Sequence, residues 1–207
     1  MEQGRIIIVS GFSGVGKDTV LEALMNAYPG EYVRSVSATT RTPRENEIPG
    51  ISYHFISDEE FQKRIRNDEF LEYAVYSSAS YGTPRQFVED MLAQGKNVIL
   101  KIEIDGALQV KEKHPETRMI YIVPPSGEEL KKRLVGRDGN ENPEKLQSRL
   151  NMAKKEVEQL DRYESIVVND EVERCMEEIH RLTQDDGYRP SLPDSFLDAL
   201  KEQIRKL

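Results

Sequence analysis

Apolar positions along this chain alternate between short continuous runs and stretches where they recur every three or four residues, the pattern of strands followed by helices. The first run, Ile6-Ile7-Ile8-Val9, is β-branched throughout, as suits a strand buried on both faces. The next segment carries Leu21, Leu24 and Met25 on one helical face and stops near Tyr28-Pro29-Gly30, where proline and glycine end a helix. Val33 and Val36 mark a short strand among Ser and Thr. From Thr40 the residues turn to Arg, Pro, Asn, Glu and Gly, so a loop is expected. Residues 57 to 76 read as a helix opened by Ser57 with Glu60 three positions on, a capping box, with Phe61 and Ile65 on its apolar face. It gives way to a strand, EFLEYAVY, and SASYGTPRQ then turns the chain at Gly82 and Pro84.

A second amphipathic helix over 85 to 95 closes at Gly95, and NVILKIEIDGA after it is the most strand-like stretch in the chain. A helix from Ala107 to His114 returns to a strand from Arg118 to Pro125. Residues 126 to 155 are polar and helical in period on either side of a break at Gly136, Gly139 and Pro143. A last strand, Ser165 to Asp170, leads to a helix reaching about Gln184, and a linker then leads to an amphipathic stripe of Phe196, Leu197, Leu200, Ile204 and Leu207. The alternation predicts an α/β fold, a parallel sheet flanked by helices, with two excursions at 35 to 84 and 126 to 154. The tail helix is expected to dock on the core or on a partner chain.

A chain of 207 residues suits one core with inserted subdomains. Its net charge of -8 argues against a nucleic-acid partner, because duplex binding needs lysine and arginine to neutralise phosphates. A small phosphorylated ligand needs only a local cluster of cations. No apolar stretch is long enough to span a membrane and the start has no signal-type pattern, so a cytoplasmic protein is expected. Cys175 is the single cysteine, which rules out an intrachain disulfide and a multi-cysteine zinc site; among Val172, Met176 and Ile179 it reads as a core residue. No pair of histidines has metal-ligand spacing.

The segment GFSGVGKDT, Gly11 to Thr19, stands between the first strand and the first helix, where a phosphate-binding loop belongs. Gly11, Gly14 and Gly16 let backbone N–H groups converge on phosphate oxygens; Lys17 and the helix N-terminus add positive charge. The pattern calls for Ser or Thr at position 18, and Asp18 stands there. Arg41 and Arg44, with Tyr53 and Tyr81 downstream, suit a second phosphate group. Glu72 lies in an apolar strand, where a carboxylate is costly unless it is paired or meets a ligand. Lys101, Glu103 and Asp105 border the carboxyl end of another strand, where open α/β sheets bind ligands. Arg133 and Arg137, one helical turn apart, and Arg149 from the next helix make a helix-loop-helix segment with the form of a lid.

Together these residues resemble the guanylate kinases. SVSATTRTPR with Glu47, Gly50 and Tyr53-His54-Phe55 is similar to that family's GMP-binding segment, and FLEYAVY, SYGTP, PPSGEELKKRLVGR and IVVND are similar to further segments in order. The likeness runs from about Gly4 to Gln184. It implies transfer of the γ-phosphoryl of ATP to GMP, and also to dGMP, with Mg²⁺ accompanying ATP. It implies a P-loop core over 1–34, 85–125 and 155–184, an inserted GMP-binding subdomain over 35–84, a helical lid over 126–154 and a tail over 185–207. Ser37, Arg41, Arg44, Tyr53 and Tyr81 fall where the family holds GMP, and Glu72 where it reads the guanine N1–H and 2-amino donors. Thr83 and Glu103 fall near the same nucleotide. Gly11, Ser13, Gly14, Gly16, Lys17, Asp18 and Thr19 match the ATP loop, Asn169 a residue beside adenine, and Arg133, Arg137 and Arg149 the lid arginines. Lys17, Arg41 and the three lid arginines form the implied catalytic set, and Asp18 and Thr19 are the implied oxygen donors toward the metal.

Three positions depart from the family pattern: Asp18, Lys101 where an acid is more common, and Asp105 where Gln is usual. Asp18 and Lys101 are expected to form a charge-swapped pair. A guanylate-kinase-like binding module and a kinase for another nucleoside monophosphate remain as alternatives, the second disfavoured by Glu72. Either a monomer or a homodimer is compatible with the sequence.

Overall fold

The computed structural model describes residues 4–76, 78–138 and 143–207. In chain order the elements are β1 (Ile6–Gly11), α1 (Lys17–Ala27), β2 (Tyr32–Arg34), β3 (Ala38–Thr39), β4 (His54–Phe55), α2 (Asp58–Arg66), β5 (Phe70–Tyr76), β6 (Ala79–Pro84) and α3 (Arg85–Ala93). There follow β7 (Asn97–Leu100), α4 (Ile104–Lys113), β8 (Arg118–Val123), α5 (Gly127–Asp138), α6 (Pro143–Glu156), a 3-10 segment Val157–Arg162, β9 (Ser165–Val168), α7 (Val172–Gln184) and α8 (Asp194–Arg205). A five-stranded sheet has the order β2-β7-β1-β8-β9, and its pairs β2/β7, β7/β1 and β8/β9 are parallel. A separate sheet has the order β4-β3-β6-β5, parallel between β3 and β4 and antiparallel elsewhere. The expected α/β fold, a parallel sheet flanked by helices with a distinct inserted sheet, is therefore present. Among the described residues no helix is long and apolar enough to cross a membrane.

The chain forms two compact units, Met1–Ile8 with Pro29–Thr117, and Val9–Tyr28 with Arg118–Leu207. In the first, Ile6, Ile7 and Ile8 pair with Val98, Ile99 and Leu100, all of them buried, as a central strand's apolar run requires. A smaller cluster of Ala38, Phe61 and Phe70, flanked by Ile56 and Ile65, holds the inserted sheet to α2. In the second unit α1 packs against α7, and Leu21 and Leu24 on one helix and Cys175 and Ile179 on the other are fully buried. Phe12, Tyr121 and Tyr163 continue that core through edge-to-face rings 5.1 and 4.8 Å apart.

Several element boundaries differ from the sequence reading. The helix expected over 57 to 76 stops at Arg66: Asn67 caps it and Asp68, at φ 54°, turns the chain into β5. Ser57 does cap this helix, accepting a bond from the Glu60 amide at 3.2 Å. SASYGTPRQ is mostly strand β6 rather than a turn. Gly82 lies inside it against the Phe70 ring, Pro84 precedes α3, and the bend falls at Ser78 with φ 67°. NVILKIEIDGA is strand only as far as Leu100; α4 begins at Ile104 with Glu103 as its N-cap. The Ile102/Ile104 alternation imitates a strand, but Ile104, Ala107 and Val110 are the buried face of a helix. Gly139, expected in the break of the helix-loop-helix segment, lies outside the described residues.

Candidate active site

In the second unit the loop after β1 closes on itself, with the Val15 amide donating to the Phe12 carbonyl at 3.1 Å. Gly14 and Gly16 adopt φ 80° and 94°, left-handed conformations that other residues reach only with strain. At Gly16 a side chain is also excluded by space, since a Cβ would come within 2.6 Å of the Asn169 amide nitrogen. That nitrogen donates to the Val15 carbonyl at 2.7 Å, and Arg133 Nη1 donates to the same oxygen at 3.2 Å. Asn169 is buried just after β9, two strands from β1 in the sheet order, so the loop's shape is held by a residue far along the chain. Lys17 Nζ lies over the loop, donating to the carbonyls of Gly11 and Phe12. Ser13 is half-buried, while Asp18 and Thr19 are exposed on the first turn of α1.

Arg133 projects from α5, its Nε bonded to Glu129 at 2.9 Å, the intrahelical pairing that a charged helix would form in any case. α5 and α6 pack together, and Arg149 is half-buried on α6. Arg137 lies on α5, but its side chain is outside the described ones.

The first unit gathers the other predicted residues. Arg41 forms a two-pronged bond to Glu47, both contacts 2.6 Å, and its guanidinium stacks 4.8 Å from the centre of the Tyr53 ring. Tyr53 and Tyr81 meet edge to face at 5.9 Å. The hydrogen bond from Arg41 pulls the Glu47 carboxyl down to about 2 and holds the guanidinium above its ordinary range, so both are charged at neutral pH. Glu47 also accepts from the Arg44 amide at 2.9 Å, tying the loop from Arg41 to Glu47 into one turn. Ser37 is half-buried, and its carbonyl accepts from His54 across the β3/β4 pair.

Glu72 lies inward on β5, 3% exposed, and accepts a 2.6 Å bond from the Thr83 hydroxyl of β6. Burial raises its carboxyl to about 7, against the opposing pull of the Thr83 hydroxyl and amide and of Lys113. Glu103 is half-buried at the α4 N-terminus and Asp105 exposed in the first turn. Lys101 is half-buried just beyond β7 in this unit, whereas Asp18 belongs to the other.

A family model described as Guanylate kinase matches residues 3–186. The chain belongs to the guanylate kinase family. Its activity is that of the family, phosphorylation of GMP with ATP. A guanylate kinase of Clostridium perfringens (strain SM101 / Type A) is 44% identical over 207 residues, spanning 98% of this chain and 95% of the relative. The crystal structure of guanylate kinase from Anaplasma phagocytophilum superposes with a TM-score of 0.72 at 28% identity, over 99% of this chain and 97% of that one. The sequence marks Glu47 only as part of the segment that resembles the family's GMP-binding one. The signal for its role was Arg41 six residues before it across a proline-bearing turn, a spacing that brings opposite charges together.

Proposed function

We propose that Glu72 and Thr83 read the guanine of GMP, and that Ser37, Arg41, Arg44, Tyr53 and Tyr81 hold its phosphate. The carrying observation is the Glu72 carboxylate, buried and bonded to Thr83 on the sheet that also carries Tyr81. A buried acceptor pair suits the guanine N1–H and 2-amino donors; adenine lacks that donor pair and would leave the carboxylate unpaired at a cost of a few kcal/mol. Glu103 adds a second carboxylate near the same base. The segment 35–84 acts as the GMP-binding part, and dGMP is accepted as well.

The loop Gly11–Thr19 cradles the ATP phosphates, with Lys17 on the outer ones. Residues 126–154 act as the lid: Arg133, Arg137 and Arg149 meet the charge that develops on the moving phosphoryl group, and Arg133 is braced by Glu129. Asn169 holds the loop at Val15 and borders adenine. Magnesium enters with ATP, and the oxygens of Asp18 and Thr19, both exposed on the first turn of α1, suit an ion that takes few protein donors. It supplies neutralisation of phosphate charge. No covalent intermediate is needed, because in-line placement of two nucleotides and exclusion of water suffice.

A coupled assay with MgATP against GMP, dGMP, AMP and UMP, run on the protein and on Glu72→Gln, tests this reading. GMP should be strongly preferred, and Glu72→Gln should lose most of that preference. Retained preference in the variant would remove Glu72 from the role.

A further inference from the structure

Helix α4 meets β5 through three residues at helical spacing, Gly106, Gln109 and Lys113, which lie on one face. Each engages a different part of the backbone or side chain around Glu72. Gln109 brackets the residue after it, accepting from the Tyr73 amide at 3.3 Å and donating to the Tyr73 carbonyl at 2.8 Å. Lys113 Nζ donates to the carbonyl of the residue before it, Leu71, at 2.9 Å. Gly106 faces the carboxylate itself. A Cβ at 106 would come 2.3 Å from Glu72 Oε2 and 2.9 Å from Cδ, so the carboxylate would have to shift to admit it. The other oxygen, Oε1, is held by Thr83.

Gly106 has an ordinary helical backbone, absent from the positive-φ glycines, so chain conformation does not require glycine there. Space does. We infer that this face of α4 positions the Glu72 carboxylate for the guanine donors, with Gly106 reserving the volume that one carboxylate oxygen fills. Gly106, Gln109 and Lys113 are positioning residues acting through Glu72, and the inference rests on the guanine-reading role of Glu72 proposed above. A methyl group at 106 swings the carboxylate away from Thr83 and misaligns both acceptor oxygens, weakening guanine recognition while leaving the ATP loop unaffected.

The test compares steady-state kinetics of Gly106→Ala, Glu72→Asp, the double variant and Glu72→Gln, using GMP and inosine monophosphate, which lacks the 2-amino group. Alanine is a better helix former than glycine, so the helix itself is not weakened. For Gly106→Ala the KM for GMP should rise about tenfold or more, with kcat and the KM for ATP little changed, and the preference for GMP over inosine monophosphate should shrink. Glu72→Asp withdraws the carboxylate by one methylene, so the double variant should have a lower KM for GMP than Gly106→Ala alone. Gln109→Ala, which removes both bonds to the Tyr73 backbone and one to the Asp105 carbonyl, should raise the same KM by about threefold and serves if Gly106→Ala does not fold. An unchanged KM for GMP in Gly106→Ala, an equal rise in the KM for ATP, or purely additive effects in the double variant would overturn the inference. Insensitivity to Glu72→Gln would instead remove the underlying reading of Glu72, whereas sensitivity to Glu72→Gln with a silent Gly106→Ala removes only the role of α4.

Discussion

Glu72 is costly to bury, and the cost shows as a carboxyl raised from an ordinary 4.5 to about 7. In the ligand-free protein the folded state therefore holds that proton more tightly than the unfolded chain does. The resulting stability contribution is full below about pH 4.5 and is lost as pH rises toward 7. Guanine binding has the opposite sign, because two donors on the base need an ionised acceptor. The KM for GMP should fall as pH rises through about 7 and then level off, measured at saturating MgATP. Glu72→Gln should flatten that dependence; an equally steep profile in the variant would assign it to another group. The position of Glu72 in an apolar strand was legible in the sequence. Its inward direction was not, since alternation along an antiparallel strand allows either face until something packs on it.

Among the elements, α8 resolves what the sequence left open. Its apolar stripe docks within its own compact unit, against α5, α6 and the 3-10 segment Val157–Arg162, with Leu200 and Ile204 almost fully buried. Gln203 accepts from the Gly127 amide at 2.8 Å, satisfying an N-terminal group of α5, and Lys201 pairs with Asp161 at 2.7 Å. The tail thus grips both roots of the segment proposed as the lid. Ile204→Ala should lower unfolding free energy by about 3 kcal/mol in denaturant titration, the usual range for a buried aliphatic side chain. Arg205→Ala, which breaks an exposed pair with Glu158, should leave stability nearly unchanged. Equal losses from the two variants would contradict docking through the apolar stripe. The stripe was readable at helical spacing, but the surface that covers it belongs to elements that end 32 or more positions before α8 begins.

For the molecule as a whole, the two compact units hold separate sets of proposed nucleotide contacts, the GMP residues in one and the ATP loop in the other. Hydrogen exchange should respect that division. GMP alone should slow amide exchange in 37–56 and 70–84, and a non-hydrolysable ATP analogue alone should slow it in 11–20, because each ligand orders the backbone it touches. Protection of 11–20 by GMP alone would overturn the allocation.

By itself the sequence determined the strand-loop-helix of the phosphate loop, the alternation that makes a parallel sheet, and the likeness to guanylate kinases. These signals are local: a few neighbouring residues, their periodicity and their glycines decide them. Tertiary structure alone decided that Asn169 and Arg133 share the Val15 carbonyl, that Gly106 makes room for Glu72, and where α8 docks. Each of those joins side chains whose partners are set by packing, and packing depends on residues that no short window of sequence contains.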